Sequence, residues 1–456
     1  MRIGRLFMAA ALGVAAMPAA YAAEAYTAEA GGDAGNVRTS AQASLRGAAA
    51  ADAELQAFYA SRNFRPLWTV GGTVTPAADR LIRLLETADL DGLDPQDYRP
   101  RALSAAVARA RSGAPAALAE VEMLLSRSFA DYVRDMRRPS NSGMVYVDRA
   151  LAPSVPARRE VLSAAAAAPS LEMYIDSLGW MHPVYAGLRR SMDSGNGRVR
   201  LSERQTLRAN LERARALPAS AEGRHILVDA AGARLFLYEN GRVVDTMRVV
   251  VGKTTEPTPM LAGMIRFAMV NPYWNVPPDL ARNRIAAGVL SEGVGYLRAR
   301  RYQVLSDWSE DARVVDPATV DWQAVADGRE ELRVRQLPGG ANAMGNVKFM
   351  FPNDFGVYLH DTPDKALFQE ANRQFSSGCV RLEDAPRLAR WLFGRTLRTG
   401  STPEQRVDLP DPVPVYITYL TAMPEAGGRI AFQADVYNRD AAQMAGGGGD
   451  GTLAAR

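Results

Sequence analysis

Hydrophobic and polar positions follow two different periods along this chain. From about residue 51 to 217 the spacing is helical. In Pro76 to Ala88, Leu81, Leu84, Leu85 and Ala88 fall on one stripe, and the helix is expected to end before Gly92. Ser202 with Gln205 makes a capping-box signature ahead of Leu207, Leu211 and Ala214, which again share a face. These stripes are core-facing surfaces and carry no chemistry of their own. At about residue 224 the character changes. Ile226 to Val228, Ala233 to Tyr238 and Val243 to Val251 read as strands, with turns at 229–232 and at Glu239-Asn240-Gly241-Arg242, where Asn-Gly marks a hairpin. Further strands are expected at Met264 to Val270, Lys348 to Phe351, Val357 to His360 and Val413 to Leu420. One helix follows Cys379, with Leu388, Trp391 and Leu392 as its buried stripe and Gly394 as its stop.

Three stretches break these patterns. Residues 23–50 are rich in Ala, Gly and Ser without a sustained apolar period and read as a flexible leader. Residues 272–345 form a polar-aromatic excursion with Trp274, Trp308, Trp322, Tyr296 and Tyr302; an insertion of that length has its own structure or covers a site. Residues 441–456, with a run of four glycines, read as a disordered tail, and no internal repeat is evident.

The first 22 residues read as an export signal: Arg2 and Arg5 form a basic start, Leu6 to Val14 a short apolar core, and Ala20-Tyr21-Ala22 a small-x-small cleavage site. The apolar core is shorter than the roughly 20 residues a spanning helix needs, so a protein released outside the cytoplasm is expected. Losing Arg2 and Arg5 takes the formal net charge from +4 to +2, which makes no case for a nucleic-acid partner. A hydrophobic content of 47% is ordinary for a globular protein, and the length suggests two or three domains.

The chain has one cysteine, Cys379, and three histidines. A single thiol forms no internal disulfide, so it is a poor fit to a disulfide-stapled exported fold. Cys379 lies in Phe375-Ser376-Ser377-Gly378-Cys379-Val380-Arg381, 19 residues after His360. Gly378 lets the backbone turn tightly and leaves amides free to face a bound carbonyl. If Val357 and Leu359 face the core, Tyr358 and His360 share the opposite face. A lone histidine or buried cysteine is more often structural; their pairing across a Ser-Ser-Gly-Cys loop points instead to a cysteine nucleophile with a histidine base. His360 would take the thiol proton, Cys379 would attack a carbonyl, and the amides of Gly378 and Cys379, with Ser377, would hold the oxyanion. No metal or cofactor is implied, and His182 and His225, without clustered ligands, read as structural. Arg381 would either bind a carboxylate or brace the loop, and Trp274 would either line a substrate groove or pack in a core.

These segments resemble the L,D-transpeptidases with a YkuD-type catalytic domain, in their large proteobacterial form with an N-terminal scaffold domain. The resemblance rests on Gly345 to Asn353, Val357 to Pro363, Phe375 to Arg381, Pro412 to Tyr416 and Asp435-Val436-Tyr437, and upstream on Phe58-Tyr59, Pro66-Leu67-Trp68 and Asp91 to Tyr98. It implies an α+β chain: a helical scaffold domain at 51–217, then a mainly β catalytic domain at 224–440 with 272–345 as an inserted capping subdomain. It further implies a periplasmic, cysteine-dependent enzyme acting on peptidoglycan stem peptides, a tetrapeptide donor and a diaminopimelate acceptor, joined in a 3→3 cross-link. Cys379 would be the nucleophile, His360 the base, and Ser377, Gly378 and Cys379 the oxyanion-hole positions. Tyr358 and Arg381 match positions near the site, and acylation by carbapenems is expected. Two departures stand out. Many members carry histidine where this chain has Ser377, and the stretch from Tyr185 to the helix near 203 leaves no room for the small peptidoglycan-binding domain usual before the catalytic half. The same loop also fits an L,D-carboxypeptidase or endopeptidase that passes the acyl group to water, and less well a non-catalytic peptidoglycan-binding scaffold.

Overall fold

In the computed structural model the described residues are 33–444, except 140–141, 195–199, 220–222 and 399. The expected signal at 1–22, the leader up to 32 and the tail from 445 lie outside them.

The helical half is organised around Pro115–Met136, whose Leu118, Val121, Leu125, Phe129, Tyr132 and Met136 are buried. Trp68, Phe129 and Trp180 meet edge to face across it, at ring separations of 5.7 and 5.2 Å. Glu122, buried on the same helix, accepts from Trp68 N–H at 3.0 Å and Tyr59 O–H at 3.1 Å, and burial raises its carboxyl to about 6. The stripe expected near residue 81 is the helix Pro76–Glu86, with Leu81 and Leu85 buried and Leu84 half-buried; a 3₁₀ turn, Ala88–Asp91, then ends at Gly92 with φ +76°. Two expectations need correction. Residues 33–49, read as leader, form the helix Asp33–Ala49, because Leu45 and Ala49 are four apart and bury one face against the helical core. The later helix is Leu201–Ala214, not one capped by Ser202: Arg200 N–H donates to Glu203 Oε2 at 3.2 Å.

Among the described residues, eight strands of the second half close into a ring. They are β1 (Arg224–Asp229), β2 (Arg234–Glu239), β3 (Arg242–Gly252), β4 (Leu261–Val270), β5 (Val347–Met350), β6 (Leu359–His360), β7 (Val380–Leu382) and β8 (Gln405–Thr418). The order is β5-β6-β7-β3-β2-β1-β8-β4, and β4 pairs back to β5. The β2–β3 turn needs positive φ at Asn240 (+48°) and Gly241 (+74°), which explains the Asn-Gly signal. Inside lie Ile226, Leu235, Val249, Ile265, Phe349, Leu359, Val380 and Val415. The helix Ala385–Phe393 closes against this core through Leu388 and Leu392, starts on the Asp384 side chain and stops at Gly394 with φ +66°.

Two features join other parts of the chain to this ring. Val145–Tyr146, from the helical half, pairs in parallel with Leu261 and Ala262 of β4, and Asp148 accepts from Met264 N–H at 2.7 Å. Residues 272–345 do have their own structure. Trp274–Val276, Arg333–Gln336, Tyr302–Leu305 and Val314–Val315 form a four-stranded antiparallel sheet over a separate core of Ile285, Val289, Leu297, Val304 and Val334.

Candidate active site

The site forms where β6 and β7 run parallel, with Leu359 opposite Val380 and His360 opposite Arg381. Leu359, Val380 and Leu382 point into the core. Side chains alternate across a strand, so His360 and Arg381 project from the other face. Val357 is also in the core. Val380 N–H donates to Tyr358 O at 3.0 Å, which sets Cys379 level with Tyr358. Four sequence-predicted residues, Tyr358, His360, Cys379 and Arg381, thus form one patch. Val357 and Tyr358 lie outside the ladder proper: the Asn353 side chain accepts from Val357 N–H at 3.2 Å and shapes the turn leading into β6.

The Ser-Ser-Gly-Cys loop enters from Gln374–Ser376, which runs parallel to the end of β3 with Ser376 opposite Gly252. Lys253 N–H donates to Ser376 O at 2.9 Å. Gly378 has φ +103°, a conformation that side-chain-bearing residues rarely adopt. Ser376 Oγ donates to Cys379 O at 2.6 Å and accepts from Gly378 N–H at 3.2 Å. That second bond corrects one expectation: the Gly378 amide is already engaged, so it is not a free oxyanion donor in this arrangement. Ser377 is exposed. Its side chain is therefore expected to be dispensable, and Ser377→Ala should keep turnover within about threefold; a loss of a hundredfold would assign the hydroxyl a direct role.

His360 is buried, and its Nδ1 lies 2.6 Å from Asp361 O. A carbonyl only accepts, so Nδ1 carries the proton and Nε2 keeps its lone pair. Asp361 is fixed in turn: its carboxylate takes Asn346 N–H at 2.9 Å and Lys365 Nζ at 2.8 Å. Burial, then repulsion from Arg381, lowers the imidazole to about 3. Cys379 is partly exposed and donates to Gly356 O at 3.4 Å. Burial pushes its thiol up, while a hydrogen bond from the Tyr358 amide and the charges of Arg381 and Lys348 pull the other way. At rest the thiol and the imidazole are therefore both neutral. The imidazole gains its proton only near pH 3, so kcat/KM should show no acid limb at pH 6.5. Between pH 5 and 8 it should stay within about twofold; a tenfold fall per unit below pH 6.5 would contradict this ionic state.

Arg381 pairs with Asp364 at 3.4 Å, and burial lowers its guanidinium. Trp274 packs half-buried into the core of the insertion, 6.2 Å from the Tyr302 ring. His182 and His225 meet at 3.1 Å between Nε2 atoms, buried where the two halves touch, with His225 stacked on Tyr238 and His182 edge to face with it. Sequence reasoning missed Lys348. It lies opposite His360 on β5 and pairs with Glu404 at 3.4 Å; only the register reveals a cation there. Among the described residues, no group of His, Cys, Asp and Glu is arranged to hold a metal ion, and no helix is long and apolar enough to cross a membrane.

Comparison with known proteins places both halves. Residues 53–192 match the model of a scaffold domain, and residues 223–417 match that of the L,D-transpeptidase catalytic domain. A "Putative L,D-transpeptidase" of Haemophilus influenzae is 33% identical over 244 residues, covering 52% of this chain and 48% of that protein; the chain spans about half the length of this curated relative. Two solved structures align with low TM-scores. "Structure of the Ldtfm-avibactam carbamoyl enzyme" is 16% identical, with 44% of this chain and 51% of that one covered and a TM-score of 0.21. An L,D-transpeptidase from Mycobacterium smegmatis is 17% identical, with 43% and 59% covered and a TM-score of 0.22. The sequence matches and the fold agree: a helical scaffold domain is joined to a mainly β L,D-transpeptidase catalytic domain of the YkuD type.

Proposed function

We propose that this protein is an exported, periplasmic enzyme that forms 3→3 cross-links between peptidoglycan stem peptides through a thioester on Cys379. The reading is supported above all by one observation: His360, with Nδ1–H held by Asp361 O, shares a strand face with the only thiol of the chain. As Cys379 Sγ attacks the carbonyl of the third residue of a donor tetrapeptide, its proton passes to His360 Nε2. Collapse of the tetrahedral intermediate breaks the amide bond. The proton moves from His360 to the departing D-alanine amine, leaving the acyl group on sulfur. His360 then takes a proton from the side-chain amine of an acceptor diaminopimelate, which attacks the thioester and frees the thiol. Tyr358 flanks the sulfur and Arg381 offers a cation for a substrate carboxylate. Trp274, on the inserted subdomain, contributes to the wall of the donor groove.

Incubating the full-length protein with disaccharide-tetrapeptide and reading the products by mass spectrometry tests the reading. A cross-linked dimer with released D-alanine is the expected result. Tripeptide monomer without dimer would make the enzyme an L,D-carboxypeptidase, and unchanged substrate would remove the catalytic reading.

A further inference from the structure

We infer that Thr258, outside the catalytic pair, is a positioning residue that aims the Cys379 amide at the developing oxyanion. The inference rests on Cys379 as the acylated nucleophile. Thr258 is fully buried between β3 and β4. Its Oγ1 accepts from Gly252 N–H at 2.8 Å and lies 2.9 Å from Gly378 O. The Gly252 amide can only donate, so the hydroxyl proton goes to Gly378 O, and the direction of both bonds is fixed.

The consequence follows from peptide geometry. Gly378 C=O and Cys379 N–H belong to one planar trans unit and point in opposite directions. Anchoring the oxygen inward on Thr258 turns the Cys379 N–H outward, and among the described residues that amide makes no hydrogen bond. The neighbouring Gly378 N–H is taken by Ser376, so the Cys379 donor carries correspondingly more weight. Aiming it before substrate arrives avoids reorganisation as charge develops.

The threonine is itself held tightly. A Cβ on Gly252 would lie 2.1 Å from Glu256 O and 2.6 Å from Thr258 N, so the tight turn bringing the hydroxyl into place requires glycine. Thr258 O accepts from Arg439 Nη2 at 2.9 Å. The Arg439 guanidinium lies over the Tyr437 and Tyr419 rings at 5.0 and 5.1 Å, and Tyr437 O–H donates to Gly252 O. The C-terminal segment therefore braces the catalytic loop through one hydroxyl.

Two reagents separate this role from a merely structural one. Iodoacetamide alkylates the thiol by displacing iodide at carbon, with no oxyanion. 4-Nitrophenyl acetate acylates it: sulfur bonds to the acetyl carbon through a tetrahedral oxyanion, and nitrophenolate leaves. In the full-length protein, Thr258→Val should slow acetylation by roughly 10- to 100-fold and leave alkylation within about twofold, while Thr258→Ser recovers most of the loss. An equal fall in both rates, a fall in neither, or Thr258→Ser as slow as Thr258→Val would overturn the inference. If Thr258→Val does not fold, the same ratio is read on Thr258→Ala. Neither reagent is a wall peptide, so the result stands apart from the outcome of the disaccharide-tetrapeptide assay.

Discussion

Cys379→Ala is expected to abolish turnover of disaccharide-tetrapeptide, by at least about 10⁴-fold, and to remove the acyl-enzyme mass expected on the native protein incubated with a carbapenem. The proposed mechanism routes both half-reactions through one sulfur, and the chain has no second cysteine to substitute for it. His360 does not take over the part of the sulfur: in the proposed mechanism its Nε2 only relays protons and forms no bond to the acyl group. The fold should be almost indifferent to the change. Cys379 is partly exposed and its thiol meets only backbone groups, Gly356 O at 3.4 Å and the Tyr358 amide, so the melting temperature should move by no more than about 2 °C. Intact-protein mass spectrometry and thermal unfolding check the two halves of this expectation. Residual cross-linking at a tenth of the native rate would dismiss Cys379 as the acylated group.

Gly378→Val is expected to cost at least about 10³-fold in kcat without unfolding the protein. Steric overlap is not the reason, because a Cβ at Gly378 would meet no atom within 4 Å. The reason is φ +103°, which a β-branched residue does not hold without strain of roughly 1–3 kcal/mol. Relaxing that strain rotates the peptide units on both sides. Gly378 N–H then leaves Ser376 Oγ, Gly378 O leaves Thr258 Oγ1, and the sulfur shifts relative to His360. A displacement of about 1 Å costs on the order of 10² in rate, and loss of an oxyanion donor costs as much again. Since the loop lies at the surface of the ring, circular dichroism and the melting temperature should stay near native values. Native-like kcat in Gly378→Val would refute the claim that this backbone conformation is required.

Local pattern carried much of the architecture. The stripe at Leu81 and Leu85, the Asn240-Gly241 hairpin, the stop at Gly394 and the strand-like runs from Ile226 onward depend on neighbours three or four residues away, or on single-residue backbone preferences. They are reproduced with boundaries shifted by a few residues, except that the strand expected at Val413 begins at Gln405. Where the signal was weak, the reading slipped. The helix Asp33–Ala49 has few large apolar residues, and its order comes from burying Leu45 and Ala49 on another helix. The capping position moved from Ser202 to Arg200, whose N–H donates to the Glu203 carboxylate.

The sequence by itself determined the chemistry on offer: one thiol, a histidine 19 residues earlier, and a glycine that allows the turn between the serines and the thiol. It also determined which half is helical and which is β, because side-chain period follows backbone rise. Only the tertiary structure decided how these groups meet. The β6–β7 register sets Cys379 level with Tyr358, and Lys348 opposite His360 comes from pairing with β5. The engagement of the Gly378 amide by Ser376, the anchoring of its carbonyl on Thr258, and the strand lent by Val145–Tyr146 likewise arise from segments distant in the chain. Such contacts leave no periodic trace, since strand pairing and long-range hydrogen bonds depend on where chain segments come together in space and not on their spacing along it.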